Sequence, residues 1–109
     1  MALTKLTTYQ NNTLSFTALL QDSAGTAINI TGATLVVTVY NGSTIVETET
    51  ITSHTTPLSG ISTCTFTYTE TALWPDALLG YELQWTLASG SRYSFTGNIE
   101  VIKDKYWQT

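Results

Sequence analysis

The sequence predicts an all-β domain, a two-layered sandwich of about seven strands. Three observations predict it. Threonine supplies about one residue in five, and its β-branched side chain disfavours helix and suits a pleated surface. Apolar and polar residues alternate with period two through most of the chain, and no long stretch has a helical period. Turn signals punctuate the alternating runs, as at Asp22-Ser23-Ala24-Gly25, Asn41-Gly42 and Ser89-Gly90. The 109 residues suit one domain with one core.

Each element follows from its pattern. Thr13 to Leu20 places Leu14, Phe16, Ala18 and Leu20 on one face. Ala27 to Ile30 reads as a short strand closed by Thr31-Gly32. Ala33 to Tyr40 puts Ala33, Leu35, Val37 and Val39 inward. Asn41-Gly42 then signals a tight hairpin, because both central positions of a type I′ turn need positive φ. The return strand, Ser43 to Thr52, carries Glu47 and Glu49 in its middle and reads as a solvated edge strand, whose charges discourage stray pairing. Ser53 to Gly60 is a loop, and Ile61 to Thr69 is the next strand. Glu70 to Gly80 breaks the alternation, and Thr71 to Asp76 within it predicts a single helical turn or a wide crossover. Tyr81, Leu83, Trp85 and Leu87 give another inward face. Tyr93, Phe95, Gly97, Ile99 and Val101 line the last strand, where Gly97 predicts a bulge or a close contact. Strand number and spacing suit an immunoglobulin-like Greek-key β-sandwich; a small barrel has the same strand count. The expected organisation is an N-terminal arm or first strand over 1–12, the sandwich over 13–102 and an aromatic tail over 103–109.

Charge narrows the functional classes. Charged residues make up 11% and the net charge is −4, so the polar surface is built mainly from Thr, Ser, Asn and Gln. Such a surface is easily desolvated against a neighbour. The four basic residues, Lys5, Arg92, Lys103 and Lys105, form no patch able to neutralise a phosphate backbone, and no nucleic-acid partner is expected. No apolar run reaches the ~20 residues of a membrane-spanning helix, and the first residues lack the apolar core of a secretory signal. The expectation is a chain made in a cytoplasm, with no membrane partner.

No arrangement for chemistry emerges. Cys64 is the only cysteine and reads as a buried small apolar residue. His54, the only histidine, lies in a Thr-rich loop without an acid nearby in sequence and reads as solvated, with no general-base context. Glu47 and Glu49 would stand about 7 Å apart on one strand face, between the two glycosidase spacings, but any strand gives that separation. Asp22, Glu70 and Asp76 lack calcium-loop spacing, and there is no phosphate-binding loop. No catalytic, metal or cofactor residues are expected, and the domain is expected not to be an enzyme. Trp85, between Leu83 and Leu87, reads as core. Trp74, beside Pro75 in a loop, reads as the more exposed tryptophan and is a candidate to stack on a glycan, although sandwich corners also use aromatic plugs. Beyond the last strand, Tyr106 and Trp107 are candidate anchors into a neighbouring subunit, since such residues dominate binding hot spots. Leu3 and Leu6 of the N-terminal arm, with Glu47 and Glu49 on the edge strand, complete the candidate interface.

The stretch from Gln10 to Gly25 and the following Ile28-Asn29-Ile30-Thr31-Gly32-Ala33-Thr34-Leu35 resemble the N-terminal immunoglobulin-like domain of phage baseplate upper proteins and related tail-fibre proteins. Leu78-Leu79-Gly80-Tyr81-Glu82-Leu83 resembles that family's Gly-x-Tyr strand. Ser89-Gly90, Tyr93 and Phe95 to Val101 resemble its closing hairpin. The resemblance covers about residues 10 to 102. It implies a virion structural protein in the tail or baseplate region, contacting other virion proteins and copies of itself in a symmetric oligomer, with no catalytic residues. In that family the domain heads a longer chain; here the sequence stops soon after it, which favours an adaptor over a receptor reader. Capsid decoration is the rival within this class, and a carbohydrate-binding module is the rival from another.

Overall fold

The structure, a computed structural model, describes residues 3 and 5–103. Seven strands form two sheets: β1 (Leu6–Tyr9), β2 (Leu14–Leu19), β3 (Thr34–Asn41), β4 (Thr44–Ile51), β5 (Ile61–Phe66), β6 (Leu78–Thr86) and β7 (Arg92–Ile102). The larger sheet has the order β1-β7-β6-β3-β4, and β2 and β5 form the smaller one. All pairings are antiparallel except β1 with β7, which is parallel. The chain crosses between sheets after β1, β2, β4 and β5, so β2 and β5 pair with the β3–β4 hairpin between them in sequence. This is an immunoglobulin-like Greek-key sandwich. The two-strand sheet corresponds to strands B and E, and G, F, C and an appended C′ lie in the larger one.

The alternation predicted for the core is the alternation observed. Leu35, Val37 and Val39 of β3, Leu79, Tyr81, Leu83 and Trp85 of β6, and Ile99 and Val101 of β7 are buried. They face Leu14 and Ala18 of β2 and Cys64 and Phe66 of β5. Trp85 meets Phe95 edge-on, with ring centroids 5.9 Å apart.

Several elements differ from expectation. Ala27 to Ile30 forms no strand; it makes one isolated bridge, Gln21 with Ala27, and is held by Ile28 N–H donating to Leu20 O and Ile30 N–H to Pro57 O. Its apolar residues are still used, since Ile30 is buried: the segment caps the core as a loop. Gly60 makes this possible. It has φ +72°, and a Cβ there would lie 2.6 Å from Leu20 O and 2.8 Å from Ile28 O, so only glycine lets the three backbones meet. The seventh strand is instead β1, whose few residues gave no firm pattern. The β3–β4 turn is also different. Asn41 pairs with Thr44, leaving Gly42 and Ser43 as the central residues, and of these only Gly42 has positive φ. That is the glycine-first pattern of a type II′ turn. Val39 opposes Glu47 and Tyr40 opposes Ile45, so Val46 is an extra residue on β4, a bulge that moves the register and with it the turn.

The strand predicted to run to Thr69 stops at Phe66, and a helical turn, α1 (Tyr68–Thr71), follows. A capping box explains the break. Thr67 Oγ1 accepts from Glu70 N–H at 3.3 Å, and Glu70 Oε1 accepts from Thr67 N–H at 2.8 Å. The Thr-x-x-Glu signature was present in sequence but lay inside an alternating run.

Gly97 is a close contact, not a bulge, because the β6–β7 register is continuous. A Cβ on Gly97 would come within 2.7 Å of the Tyr81 ring and 2.8 Å of Leu3 Cβ. On the opposite face, the Tyr40 ring lies over Gly80 in the same manner.

Candidate functional site

A two-strand sheet cannot cover the inner face of a five-strand sheet. The two flanks of the sandwich differ in shape and in chemistry.

On the first flank the gap lies between β1 and β2. Leu3, Leu6, Phe16, Thr17, Ala18, Leu19, Tyr81 and Leu83 line a groove of about 210 Å³. Leu3 is positioned by its N–H, which donates to Thr96 O at 3.1 Å, and Leu6 by its pairing with Ile99. Phe16 meets Tyr81 edge-on at 5.8 Å. Burial pushes the Tyr81 hydroxyl up from the ordinary tyrosine value. Leu19 stands at the rim, 47% exposed. Thus Leu3 and Leu6, expected at an interface, do share one surface feature. Phe16, Leu19 and Tyr81 complete it and read in the sequence only as core or strand residues, because periodicity does not show that β2 has no outer neighbour among the described residues.

The second flank is where β4 of the large sheet meets β5 of the small one. β4 is an edge strand, as expected, but Glu47 and Glu49 are not on its solvated face. Glu47 pairs with Val39 and Glu49 with Val37, and those valines are fully buried. Opposed residues share a face, so both carboxylates point inward and are half-buried. β5 of the small sheet touches β4, and Glu49 of β4 lies close enough to Cys64 of β5 to act on its thiol. The Glu47 carboxyl is raised above its ordinary value, first by burial, then by the Glu70 carboxylate. The Trp74 indole N–H opposes this; sharing of a proton with Glu70 and the charge of Glu49 add to it. Trp74 Nε1 makes no hydrogen bond of good geometry, so it acts on Glu47 as a nearby dipole. Cys64 is buried, and its thiol is pushed up to about 12 by burial, with Glu49 and Glu70 adding to the effect. That is the environment of an inert thiol. No group of three or more His, Cys, Asp or Glu suited to a metal ion occurs among the described residues.

Trp74 corrects an expectation. It is 1% exposed and cannot offer its ring to a sugar. The α1 turn folds it inward: Trp74 N–H donates to Thr71 O, Gln10 Nε2–H donates to Trp74 O at 2.8 Å, and Thr71 Oγ1–H donates to Asn12 O at 2.7 Å. Its ring meets Phe66 edge-on at 5.0 Å. Trp74 is thus the plug of one end of the sandwich, and the glycan reading loses its candidate residue.

His54 is also not simply solvated. Its Nε2 lies 2.8 Å from Ala33 O and its Nδ1 2.8 Å from Ser62 Oγ. The carbonyl can only accept, so Nε2 carries the proton and, in the neutral ring, Nδ1 accepts from Ser62. The Ser62–His54 pair resembles half of a nucleophile dyad, but Ser62 is fully buried and the second ring nitrogen is held by a backbone carbonyl instead of a carboxylate. The ring ties Ala33, the residue before β3, to Ser62 of β5 in the other sheet. Tyr106 and Trp107 lie outside the described residues.

No family model matches the chain, and no curated protein matches it. Among solved structures it is similar to murine CRIg at 12% identity and a TM-score of 0.45, over 93% of this chain and 92% of that one. So loose a likeness carries no argument; the fold assignment rests on the strand order. No helix among the described residues is long and apolar enough to cross a membrane.

Proposed function

We propose that this chain is a phage virion structural protein, an assembly or adaptor subunit of the tail or baseplate region that works through protein–protein contacts and catalyses nothing. The observation that carries the assembly part is the apolar groove between β1 and β2, open beside a sheet edge and framed by a Thr-rich surface with little charge. Such a feature fits a permanent protein neighbour better than a soluble substrate, because it offers apolar area and backbone pairing but no cluster of polar groups to orient a small molecule. The tail or baseplate location is supported by the resemblance over residues 10 to 102. Its Thr31-Gly32-Ala33 motif has a visible job in this fold: Asn29 Oδ1 accepts from Thr31 N–H and Oγ1–H, Gly32 has φ +77°, and Ala33 N–H donates to Ile30 O, which turns the chain into β3.

Fractionation of purified particles into heads and tails, with mass spectrometry of each, tests the reading. The chain is expected in the tail fraction. Its recovery with heads would make it a capsid decoration protein, and its absence from both would remove the virion reading.

A further inference from the structure

Independently of the assembly reading, we propose that Glu47 of β4 and Glu70 of α1 form a proton-held latch between the two halves of the sandwich. A proton shared by the two carboxyl groups holds edge strand β4 against α1, which continues β5 of the small sheet. Its release as pH rises loosens that strand.

Different parts of the fold bring the two residues together. Glu47 opposes Val39 in the β3–β4 ladder, and Val39 is fully buried. The Glu47 side chain therefore lies on the inward face, half-buried. Glu70 is the third residue of the α1 turn, which follows β5 after one residue. Its Oε1 accepts from Thr67 N–H at 2.8 Å and from Thr67 Oγ1–H at 3.1 Å. The capping box thereby pins the carboxylate, and Oε2 is left as the acceptor for a shared proton. Trp74 marks the same place independently. Its Nε1–H is buried without a hydrogen bond of good geometry, yet it acts on the Glu47 carboxyl. A pinned carboxylate, a buried indole donor and the Glu47 carboxyl thus meet where β4 faces the end of the small sheet.

Among the described residues no cation separates these charges. The groups that act on Glu47 are Glu70 of α1, Glu49 of β4 and the Trp74 indole. Cys64 of β5 lies within reach of both Glu49 and Glu70, and β3 presents Val37 and Val39 opposite the two β4 carboxyls. Of the described bases, Lys5 is paired with Glu100 at 3.0 Å. Arg92 begins β7 and Lys103 follows its last residue, and β6 and β3 stand between β7 and β4 in the sheet. Two half-buried carboxylates without a counter-ion repel, and a proton held between them removes the repulsion. The Glu47 carboxyl is accordingly raised, first by burial and then by Glu70. A group raised in the folded state contributes its stability in full below the unfolded value and loses it as pH rises through the folded one. This contribution ties β4 to α1, so its loss falls on β4, whose one ladder partner among the described residues is β3.

Two NMR measurements on the full chain test this. Titration of the side-chain carboxyl carbons is expected to show Glu47 taking up its proton above the ordinary glutamate range. In Glu70→Gln, which keeps a cap acceptor but not the charge, Glu47 is expected to move back toward that range. Amide exchange, corrected for its intrinsic pH dependence, is expected to show protection in β4 falling about threefold, the scale of one surface charge interaction, as pH rises through the Glu47 titration. That fall is expected to vanish in Glu47→Gln and in Glu70→Gln. It is expected to persist in Glu49→Gln, which removes a neighbouring charge and leaves the pair. Glu47 titrating in the ordinary range, a Glu47 titration unmoved by Glu70→Gln, or β4 protection that does not follow the titration would each overturn the latch. A fall that also vanishes in Glu49→Gln would overturn it too, since the summed charge of the flank, and not the pair, would then be the cause. These outcomes leave the virion reading to be decided by the particle fractions.

Discussion

Replacing Trp74 by alanine separates a buried plug from a surface ligand. The ring is 1% exposed and meets Phe66 edge-on at 5.0 Å. Truncating a buried tryptophan to alanine costs about 3–5 kcal/mol, of which an edge-to-face pair contributes about 0.5–1.5 kcal/mol. A domain of this length is stable by about 5–15 kcal/mol, so the variant should lose a large share of its stability and melt more than ~10 °C lower. Trp74→Phe should cost less, because it keeps most of the ring and removes an indole N–H that has no good acceptor. Urea titration by far-UV circular dichroism, with Trp85 fluorescence as a second probe, measures both. A Trp74→Ala variant within about 0.5 kcal/mol of the parent, the range typical of surface sites, would refute the burial argument and restore Trp74 as a candidate for glycan stacking.

Other expectations follow from the same geometry. Glu47 has a folded-state pKa raised by burial and by Glu70; its protonated form therefore favours folding below the ordinary glutamate range, and that contribution is lost as pH rises through the folded value. Glu47→Gln should accordingly stabilise the domain at pH 7 by the size of a surface charge interaction, about 0.2–1 kcal/mol, with the gain shrinking in acid; melts across pH that show the larger gain in acid would contradict this. His54→Ala leaves the fully buried Ser62 hydroxyl without its ring partner and should cost about 1–3 kcal/mol, measured by urea unfolding at pH 7. Gly97→Ala drives a methyl into the Tyr81 ring and Leu3 and should cost about 1–3 kcal/mol, with amide exchange accelerating in β1. Cys64 should react with a thiol reagent only as fast as the domain opens, so that urea, not pH 8, releases it.

Much of the fold was legible because period-two alternation reports directly on burial. Leu35, Val37 and Val39, and Tyr81, Leu83 and Trp85, are where the pattern puts them. What escaped the sequence was governed by partners distant in the chain. Glu47 and Glu49 looked solvated because carboxylates usually are; their inward direction is set by the ladder with β3. Trp74 looked exposed because Trp-Pro suggests a loop; it is in a loop, but one pinned to residues 10 and 12 by side-chain hydrogen bonds. Ala27 to Ile30 has strand composition yet lies over the core without a ladder, because Gly60 admits its backbone against Leu20. The groove shows the same limit: Leu3 and Leu6 could be picked out as unexplained apolar residues, whereas the groove they line with β2 exists only in the tertiary fold.

The central claim, that this sandwich works as a repeated part of a particle, is tested most directly by immunogold electron microscopy of intact virions from cells carrying the gene. The account predicts gold confined to one region of the tail, at a copy number consistent with the tail's symmetry. Unlabelled particles, with the protein detected free in the same lysate, would contradict it.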